Sequence, residues 1–245
     1  MNENEHEYKD KYLEGKEEVF TTGYPRCGNT WLDRILSDVL KSALQIKPKE
    51  VIEYFGPDPH DGNYVIRKTH FYSNQYNGIG YSGVPAKMVL IQRDPRDMAV
   101  SVMYYRKVEP DLMSVLKSVF LNQHHPGIPV IGYRWFIESW LESPDYTAIT
   151  KYEELQNNGP KELQRIYKII TGKTLSKKAA ELVMYRQRFD RWKSRYPHSM
   201  RKGIAGDWRN HFTRKEGAFL DAAIGDVMLD QGYIEDNNWW KELPE

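Results

Sequence analysis

The sequence predicts an α/β fold, with one domain built on a central, mostly parallel β-sheet that is flanked by helices. Short apolar runs alternate along the chain with longer segments that carry apolar residues at helical spacing, which is typical of such a sheet. The chain has 245 residues, of which 40% are hydrophobic and 13% aromatic, and this is enough for one large core. We therefore expect a polar arm over residues 1–17 and a single domain over residues 18–245.

Four apolar runs are predicted to be strands, and five segments are predicted to be helices. The predicted strands are VFTTG (19–23), YVIRK (64–68), KMVLIQ (87–92) and YTAIT (146–150). The predicted helices are TWLDRILSDVLKSAL (30–44), DPRDMAVSVMYYRK (94–107), GYRWFIESWLES (132–143), GPKELQRIYKIITG (159–172) and SKKAAELVMYR (176–186). Residues 189–210 follow neither period, and we predict a long ordered loop there.

Charge and composition exclude several classes of partner. The formal net charge is +1, so nothing points to a nucleic acid or a membrane surface. No apolar run approaches the roughly 20 residues of a membrane span, and the N-terminus is acidic and polar where a signal peptide would be basic and then apolar. The single cysteine, Cys27, excludes an internal disulfide framework and fits a reducing compartment. These features predict a cytoplasmic protein.

The stretch GYPRCGNTW, from Gly23 to Trp31, nearly spells the phosphate-binding loop G-x-x-x-x-G-K-[ST]. It lies between a predicted strand and a predicted helix, where backbone amides and the helix dipole attract an anion. Asn29 stands where that motif requires a lysine, and a cation, Arg26, lies inside the loop instead. A turn that merely starts a helix would explain the glycines equally well, so this motif alone leaves both interpretations open.

A second strand-to-helix junction occurs in RDPRDMAVS, from Arg93 to Ser101. Asp94 is a good N-cap, Pro95 is favoured at the first helical position, and Asp97 supplies a carboxylate in the first turn. Because α/β folds bind ligands at the carboxyl edge of the sheet, we expect Arg93 to point into that crevice. The alternative is a simple ion pair between Arg93 and a carboxylate at the strand end.

Two further segments bring charged groups together. In RKTH, Lys68 and His70 are two apart on an extended segment, so an ammonium and an imidazole can converge on one point. Such a pair can stabilise a leaving oxygen and accept a proton. In RKGIAGDWRNHF, from Arg201 to Phe212, two cations followed by a glycine offer donors to a phosphate. For RKTH, the alternative is that His70 is an ordinary histidine whose hydrogen bonds are made by its surroundings. For RKGIAGDWRNHF, the alternative is a solvated basic loop.

Together these segments resemble the cytosolic-type sulfotransferases that use 3′-phosphoadenosine 5′-phosphosulfate (PAPS). TGYPRCGNTW matches the family's loop, approximately T-Y-P-K-S-G-T-T-W, and residues 68–70 match its K-T-H. RDPRDMAVS matches its R-[ND]-x-[KR]-D-x-x-V-S, and RKGIAGDWR matches its R-K-G-x-x-G-D-W-[KR]. The four motifs occur in the family's order and span most of the chain.

The resemblance implies a site for PAPS as co-substrate and for its desulfated product, adenosine 3′,5′-bisphosphate (PAP). By residue-by-residue match, the implied contacts are Arg26, Cys27, Gly28, Asn29 and Thr30 for the 5′-phosphate; Arg93, Ser101, Arg201, Lys202 and Gly203 for the 3′-phosphate; and Trp31, Phe189 and Tyr152 for the adenine or the nucleotide. No metal is expected, because fixed cations take the place of magnesium and the sequence has no metal-ligand spacing.

The resemblance also implies the mechanism. A hydroxyl or amine of a small-molecule acceptor would attack sulfur in line while His70 takes its proton. Lys68 and Arg26 would meet the negative charge that grows on the departing phosphate oxygen.

Three departures from the family's pattern bear on these assignments. Arg26 replaces a lysine, and a planar guanidinium cannot place a point charge on the bridging oxygen, so its binding role is better supported than a catalytic one. Cys27 replaces a serine beside that cation, which predicts a reactive thiol that bound nucleotide protects from alkylation. The dimer motif of animal members keeps only Thr213 over residues 209–218, so dimerisation by that route is not expected.

The sequence leaves the acceptor open. Variable loops build the acceptor pockets of this family, here residues 47–63, 71–84 and 108–129. The first loop carries four carboxylates, Glu50, Glu53, Asp58 and Asp61. A cationic or polar small-molecule acceptor is therefore one hypothesis, and a solvated polar loop explains the same residues.

Two rival functions share parts of the pattern. One is a noncatalytic PAP- or PAPS-binding protein, which would carry the same binding motifs. The other is a nucleotide kinase with a phosphate-binding loop, which Asn29 disfavours because the loop lysine is missing.

Overall fold

The computed structural model describes residues 16–41, 43–47, 50–54, 63–70, 86–106, 111–121, 132–142, 146–195 and 202–245. The chain groups into two compact units, and each unit is made of three separate segments. The first unit comprises Met1–Gly23, Gly28–Gln92 and Ser143–Arg188, and the second comprises Tyr24–Cys27, Arg93–Glu142 and Phe189–Glu245.

A mostly parallel sheet forms the centre of the first unit. Its strands are β1 (Glu17–Thr22), β2 (Ala43–Lys47), β3 (Glu50–Tyr54), β4 (Tyr64–Lys68), β5 (Lys87–Gln92) and β6 (Ala148–Lys151). Their order in the sheet is β3-β2-β4-β1-β5-β6, and each neighbouring pair is parallel except β2 with β3. The predicted α/β class and its mostly parallel sheet are confirmed.

The helices follow the strands in the order expected for this class. They are α1 (Asn29–Val39), α2 (Pro95–Arg106), α3 (Leu112–Phe120), α4 (Tyr133–Glu142), α5 (Tyr152–Asn157), α6 (Gly159–Thr171), α7 (Lys177–Arg186), α8 (Phe189–Arg195) and α9 (Arg214–Asp230), with 3₁₀ helices at Asp207–Asn210 and Trp239–Glu242. Among the described residues, none of these helices has the length and apolar character needed to cross a membrane.

The core of the first unit is made by strands that are buried along most of their length. β1 and β5 are buried at every position after their first, as is usual for parallel strands covered on both faces. In α1, Leu32, Ile35 and Leu36 are fully buried at helical spacing. Two parallel strands end in register at one edge, because Thr21 of β1 pairs with Lys68 of β4.

The second unit is helical, and its core is rich in aromatic side chains. The ring of Tyr24 meets those of Tyr133 and Phe136 edge to face, with centroids 5.4 and 5.7 Å apart. Trp208 meets Phe212 in the same way, with centroids 5.8 Å apart. All five side chains are at least 95% buried.

Several segments differ from the sequence prediction. α3 lies inside the loop predicted over residues 108–129, and α5 and α9 were not predicted. The helix predicted over residues 30–44 ends at Val39, and Ala43–Lys47 is strand β2, paired with a second unpredicted strand, β3. Lys41, with a φ of 49°, has the left-handed conformation that ends a helix, although the apolar spacing continues past it. The loop predicted over residues 189–210 contains α8 and a 3₁₀ helix, both too short to show a clear period.

The other predicted elements agree within two residues at each end. β4 and β5 occupy the predicted residues, and β1 begins at Glu17, inside the predicted arm. Most of that arm, and the acceptor loop predicted over residues 71–84, lie outside the described residues. The domain boundaries therefore stay a prediction.

Candidate active site

A tight turn carries Arg26 in the second unit. The amide of Cys27 donates to the carbonyl of Tyr24 at 3.1 Å, with Pro25 and Arg26 between them. Arg26 has a φ of 74°, a conformation that this position of a type II turn requires and that favours glycine. A side chain other than glycine is thus kept where the backbone is strained, as is frequent at functional sites.

The Arg26 side chain lies among residues of α2 in the same unit. Its Nε donates to Oγ of Ser101 at 3.1 Å, and its guanidinium lies over the ring of Tyr105, 4.2 Å from the centroid. A guanidinium nitrogen of Arg93 donates to the Arg26 carbonyl at 3.1 Å. Three residues predicted from two separate motifs therefore meet. Sequence reasoning missed Tyr105, whose signal is its position one helical turn after Ser101.

The fourth motif is described from Lys202 onward, and Arg201 lies outside the described residues. Gly203 has a φ of 67°, and a Cβ there would lie 2.3 Å from the ring of Phe189. These two predicted residues are therefore neighbours, and only glycine allows this approach. The Lys202 ammonium lies 2.9 Å from a carboxylate oxygen of Asp207.

Asp97 holds the loop that follows Gly203. Its buried carboxylate accepts hydrogen bonds from the amides of Gly206, at 2.5 Å, and Trp208, at 2.9 Å. Burial raises the pKa of Asp97, and the two amides together with Arg93 oppose that shift. The sequence assigned Asp97 only to the first turn of α2; the structure adds the positioning of this loop.

In the first unit, α1 begins without a side-chain cap among the described residues. Its N-cap is Gly28, with a φ of 103°, and a Cβ at this position would lie 2.7 Å from the ring of Tyr152. The amides of a first helical turn have no partner within their own helix, which suits them to bind an anion. The predicted contacts Gly28 and Tyr152 are thus close together.

The ring of Trp31 is fixed from two sides within this unit. It meets Tyr152 edge to face with centroids 5.4 Å apart, and its indole nitrogen donates to the carbonyl of Gln187 at 2.7 Å. Gln187 in turn donates to Asp38 at 2.8 Å, and Arg186 pairs with the same carboxylate. The sequence predicted Trp31 and Tyr152 but not the residues that orient Trp31.

Lys68 and Thr30 lie beside each other where β4 ends. The Lys68 ammonium donates to the Thr30 hydroxyl at 2.7 Å. Behind them, Asp33 of α1 is fully buried and accepts a hydrogen bond from Thr21. Burial raises the pKa of Asp33 to about 6, although Lys68 and Thr21 favour its charged form.

His70 is held at Nδ1, which leaves Nε2 to act. Its Nδ1 lies 2.7 Å from the carbonyl oxygen of Gly23. Because a carbonyl only accepts, Nδ1 carries the proton in the neutral ring and Nε2 carries the lone pair. Burial lowers the pKa of His70, the bond to Gly23 opposes this, and the nearby Lys68 charge adds to it. A neutral imidazole at physiological pH is suited to accept a proton.

Cys27 is predicted to contact the cofactor and to be reactive. Its side chain is fully buried, so alkylation would require the loop to open. In the described part of the chain, no group of three or more His, Cys, Asp or Glu side chains is arranged to hold a metal.

Comparison with known proteins identifies the family. Residues 16–232 match the sulfotransferase domain family. Human sulfotransferase 2B1 is 28% identical over 263 residues, covering 94% of this chain and 70% of its own, and mouse sulfotransferase 1B1 is 26% identical over 253 residues, covering 86% and 82%.

Solved structures show the same fold. Mouse sulfotransferase SULT7A1, complexed with PAP, superposes with a TM-score of 0.65 at 20% identity over 99% of this chain and 93% of its own. Retinol dehydratase, complexed with androsterone and PAP, gives 0.62 at 16% identity over 94% and 95%. Since the family match extends over most of the chain, and the four motifs lie within it, this chain belongs to the sulfotransferase family.

Proposed function

We propose that this protein transfers the sulfonate group of PAPS to a hydroxyl or amine of a small-molecule acceptor, with His70 as the general base. The observation that carries the proposal is the environment of His70, whose Nδ1 is engaged by the Gly23 carbonyl while the Lys68 side chain lies near the ring. A binding protein without activity needs no such base.

The step exchanges one bond to sulfur for another. The acceptor oxygen or nitrogen forms a bond to sulfur as the bond from sulfur to the bridging oxygen breaks. That oxygen leaves with its electron pair on the 5′-phosphate of PAP, and the acceptor proton moves to Nε2 of His70. Lys68, held by Thr30, supplies positive charge for the departing oxygen.

The remaining assignments follow the family resemblance. Amides at the start of α1 and the Arg26 side chain would bind the 5′-phosphate, and Trp31 would stack on the adenine. Arg93, Ser101, Arg201, Lys202 and Gly203 would bind the 3′-phosphate. The contact of Arg26 with Ser101 and Tyr105 supports a binding role for its guanidinium.

A cationic or polar metabolite is the proposed acceptor class. The support is the acidic stretch of the sequence, of which Glu50 and Glu53 fall in β3 and Asp58 and Asp61 lie outside the described residues. An acceptor panel of amines, guanidines, simple phenols, androsterone and retinol tests this. Faster sulfation of phenols or of the two lipids than of cations would reject it.

The first test is calorimetric titration with PAP and with ATP, each with and without magnesium, followed by a transfer assay with PAPS. We expect tight PAP binding that does not need magnesium, and weak ATP binding. In His70→Ala, transfer should fall at least about 100-fold, as expected for loss of a general base, while PAP affinity stays within about twofold. His6→Ala, which removes a histidine from the predicted arm, should change neither quantity.

Two outcomes would contradict the proposal. Preference for ATP with magnesium would favour the kinase interpretation. PAP binding without sulfonate transfer to any acceptor, in the wild type as in His70→Ala, would favour a noncatalytic nucleotide-binding protein.

A further inference from the structure

Asn29 occupies the position where a phosphate-binding loop would have its lysine, and the sequence predicted it as a cofactor contact. Its side chain is 96% buried and reaches two groups of the same unit. Nδ2 donates to the Gly23 carbonyl at 2.9 Å and lies 3.1 Å from Nδ1 of His70. Both contacts concern the proposed base and neither involves a phosphate-binding group.

The three atoms define which nitrogen of His70 carries a proton. The Gly23 oxygen has two lone pairs, and Nδ2 of Asn29 and Nδ1 of His70 lie at 2.9 and 2.7 Å from it. If Nδ1 were instead an acceptor for Asn29, two lone pairs would face each other across 2.7 Å. The two contacts with Gly23 are compatible only when both nitrogens donate to its carbonyl, and Nε2 of the neutral ring is then left unprotonated. Oδ1 of Asn29 is buried and has no hydrogen-bond partner among the described residues.

The orientation of the Asn29 amide is set by the same carbonyl. Exchanging its oxygen and nitrogen would place Oδ1 against the Gly23 oxygen at 2.9 Å, which is repulsive. Gly23 also provides the space, because a Cβ there would lie 2.4 Å from Oδ1 of Asn29 and 2.5 Å from the carbonyl oxygen of Ile91. The side chain therefore has one place and one orientation beside His70.

We propose that Asn29 is a positioning residue for the base: by donating to the Gly23 carbonyl, it fixes the oxygen that holds the His70 ring in the tautomer and orientation that present Nε2 to the small-molecule acceptor. The inference rests on the proposed function of His70. It assigns the side chain of Asn29 to proton transfer and not to PAPS binding. Only the backbone amide of Asn29 is then left to bind the phosphate.

Removing the amide separates the two roles. In Asn29→Ala, kcat at saturating PAPS should fall about tenfold or more, as is common when a group that orients a catalytic ligand is lost. The dissociation constant for PAP should stay within about twofold of the wild-type value, because the substitution removes no contact with the nucleotide. Asn29→Thr, which restores the family's usual residue, should behave as Asn29→Ala, since a hydroxyl on a shorter side chain does not reach the Gly23 carbonyl.

The dependence of kcat on pH provides a second test. The pH at which kcat falls on the acidic side (the acidic limb of the profile) reports the pKa of His70, and a purely structural role of Asn29 would not change it. In Asn29→Asp, a carboxylate near Nδ1 favours the imidazolium and raises the pKa of His70, so the limb should move to higher pH by about one unit. Lys68 is the other charged group acting on His70 and is unchanged in this variant. Asn63→Asp, an identical exchange at an exposed position, should leave the limb in place.

A measurement without turnover covers the case in which Asn29→Asp fails to fold. Nitrogen NMR of histidine-labelled protein, with His70 assigned by its loss in His70→Ala, reports the tautomer. The wild type should show Nδ1 protonated. Asn29→Ala should show a larger fraction of ring protonated at Nε2, because the Gly23 carbonyl is no longer fixed by the Asn29 amide.

Three results would overturn the inference: an unmoved acidic limb in a folded Asn29→Asp, an unchanged tautomer in Asn29→Ala, or a loss of PAP affinity that parallels the loss of kcat. The last result would mean that the Asn29 side chain binds PAPS. Failure of the proposed function is distinct, because wild-type protein would then transfer no sulfonate.

Discussion

The N-termini of α1 and α2 follow two strands of the same sheet but are completed in different ways. At α2, the Asp94 carboxylate accepts from the amide of Arg96 at 2.9 Å and pairs with its guanidinium at 2.7 Å. That guanidinium also lies over the ring of Trp208, 3.9 Å from its centroid. At α1 the cap is Gly28, and no described side chain bonds its amides as a cap.

The difference teaches which helix end is available to a ligand. α2 satisfies its first turn with its own residues, so its charged groups stabilise the fold. The first turn of α1 has no side-chain cap among the described residues, so its amides are available to the proposed phosphate. Its polar side chains instead contact Gly23, His70 and Lys68. Three substitutions can break or sharpen this contrast, and they follow in order of expected effect.

The largest effect is expected from Asp94→Ala. It removes the cap of α2 and leaves the buried Arg96 charge without its carboxylate, so the free energy of unfolding should fall by about 3–5 kcal/mol. Urea denaturation measures this. Ser176→Ala, which removes only the cap of α7, should lose about 1 kcal/mol. Equal losses in the two variants would mean that α2 is not stabilised by its ion pair.

A smaller effect is expected from Asp33→Asn, which tests the buried carboxylate in the second turn of α1. One oxygen of Asp33 accepts from Thr21 and the other has no hydrogen-bond partner among the described residues. Because the pKa of Asp33 in the folded protein is about 6, above the ordinary value of 3.8, the native state binds more protons than the unfolded state in this interval. Stability should therefore fall as pH rises from about 4 to about 6, by about 3 kcal/mol at 1.36 kcal/mol per unit.

Asn at this position removes the titration, so the difference in unfolding free energy between variant and wild type should grow across that interval and then level off. Urea denaturation at several pH values measures it. Asp230→Asn, at an exposed position, should leave the slope unchanged. A slope that persists in Asp33→Asn would mean that another group titrates there.

The smallest effect is expected from Gly28→Ala. The new Cβ would clash with the ring of Tyr152, and alanine disfavours the positive φ of this position, so the backbone at residue 28 should shift to a relaxed conformation. Binding of PAP would have to restore the original conformation, at a cost of about 2 kcal/mol. The affinity for PAP should fall about 30-fold by calorimetry. Gly172→Ala has a similar φ of 71° with nothing within 4 Å, and should leave that affinity unchanged. An unchanged affinity for PAP in Gly28→Ala would mean that the N-terminus of α1 does not bind the nucleotide.

Local patterns predicted the parts of the fold that depend on neighbours in sequence. β4 and β5 are apolar runs of strand length, and Asp94 with Pro95 correctly predicted where α2 begins. β2 was missed because it pairs with β4, some 20 residues away, and because Ala43 and Leu44 continue the helical spacing of α1. β3 pairs with β2 and was missed with it. Tertiary pairing overrode that spacing.

In the candidate site, too, local patterns predicted some residues and missed those that depend on contacts distant in sequence. Motif residues such as Lys68 and His70 could be named from spacing, because strand geometry alone brings them to one side. The contacts of Arg26 with Tyr105 and of Trp31 with Gln187 join residues 79 and 156 positions apart in sequence, and no local pattern records them. Asn29 is the clearest case, since its position in a phosphate loop suggested one partner and its packing gives it another.

The central place of β1 has a consequence for synthesis of the chain. β1 pairs with β4 on one side and β5 on the other, so it is made before both neighbours: β4 is complete only at residue 68, and β5 only at residue 92. At about 5–20 residues per second, translation of that interval takes roughly 4–15 s. During this time the apolar residues of β1 are open to chaperones, and rare codons between β1 and β5 would lengthen the exposure.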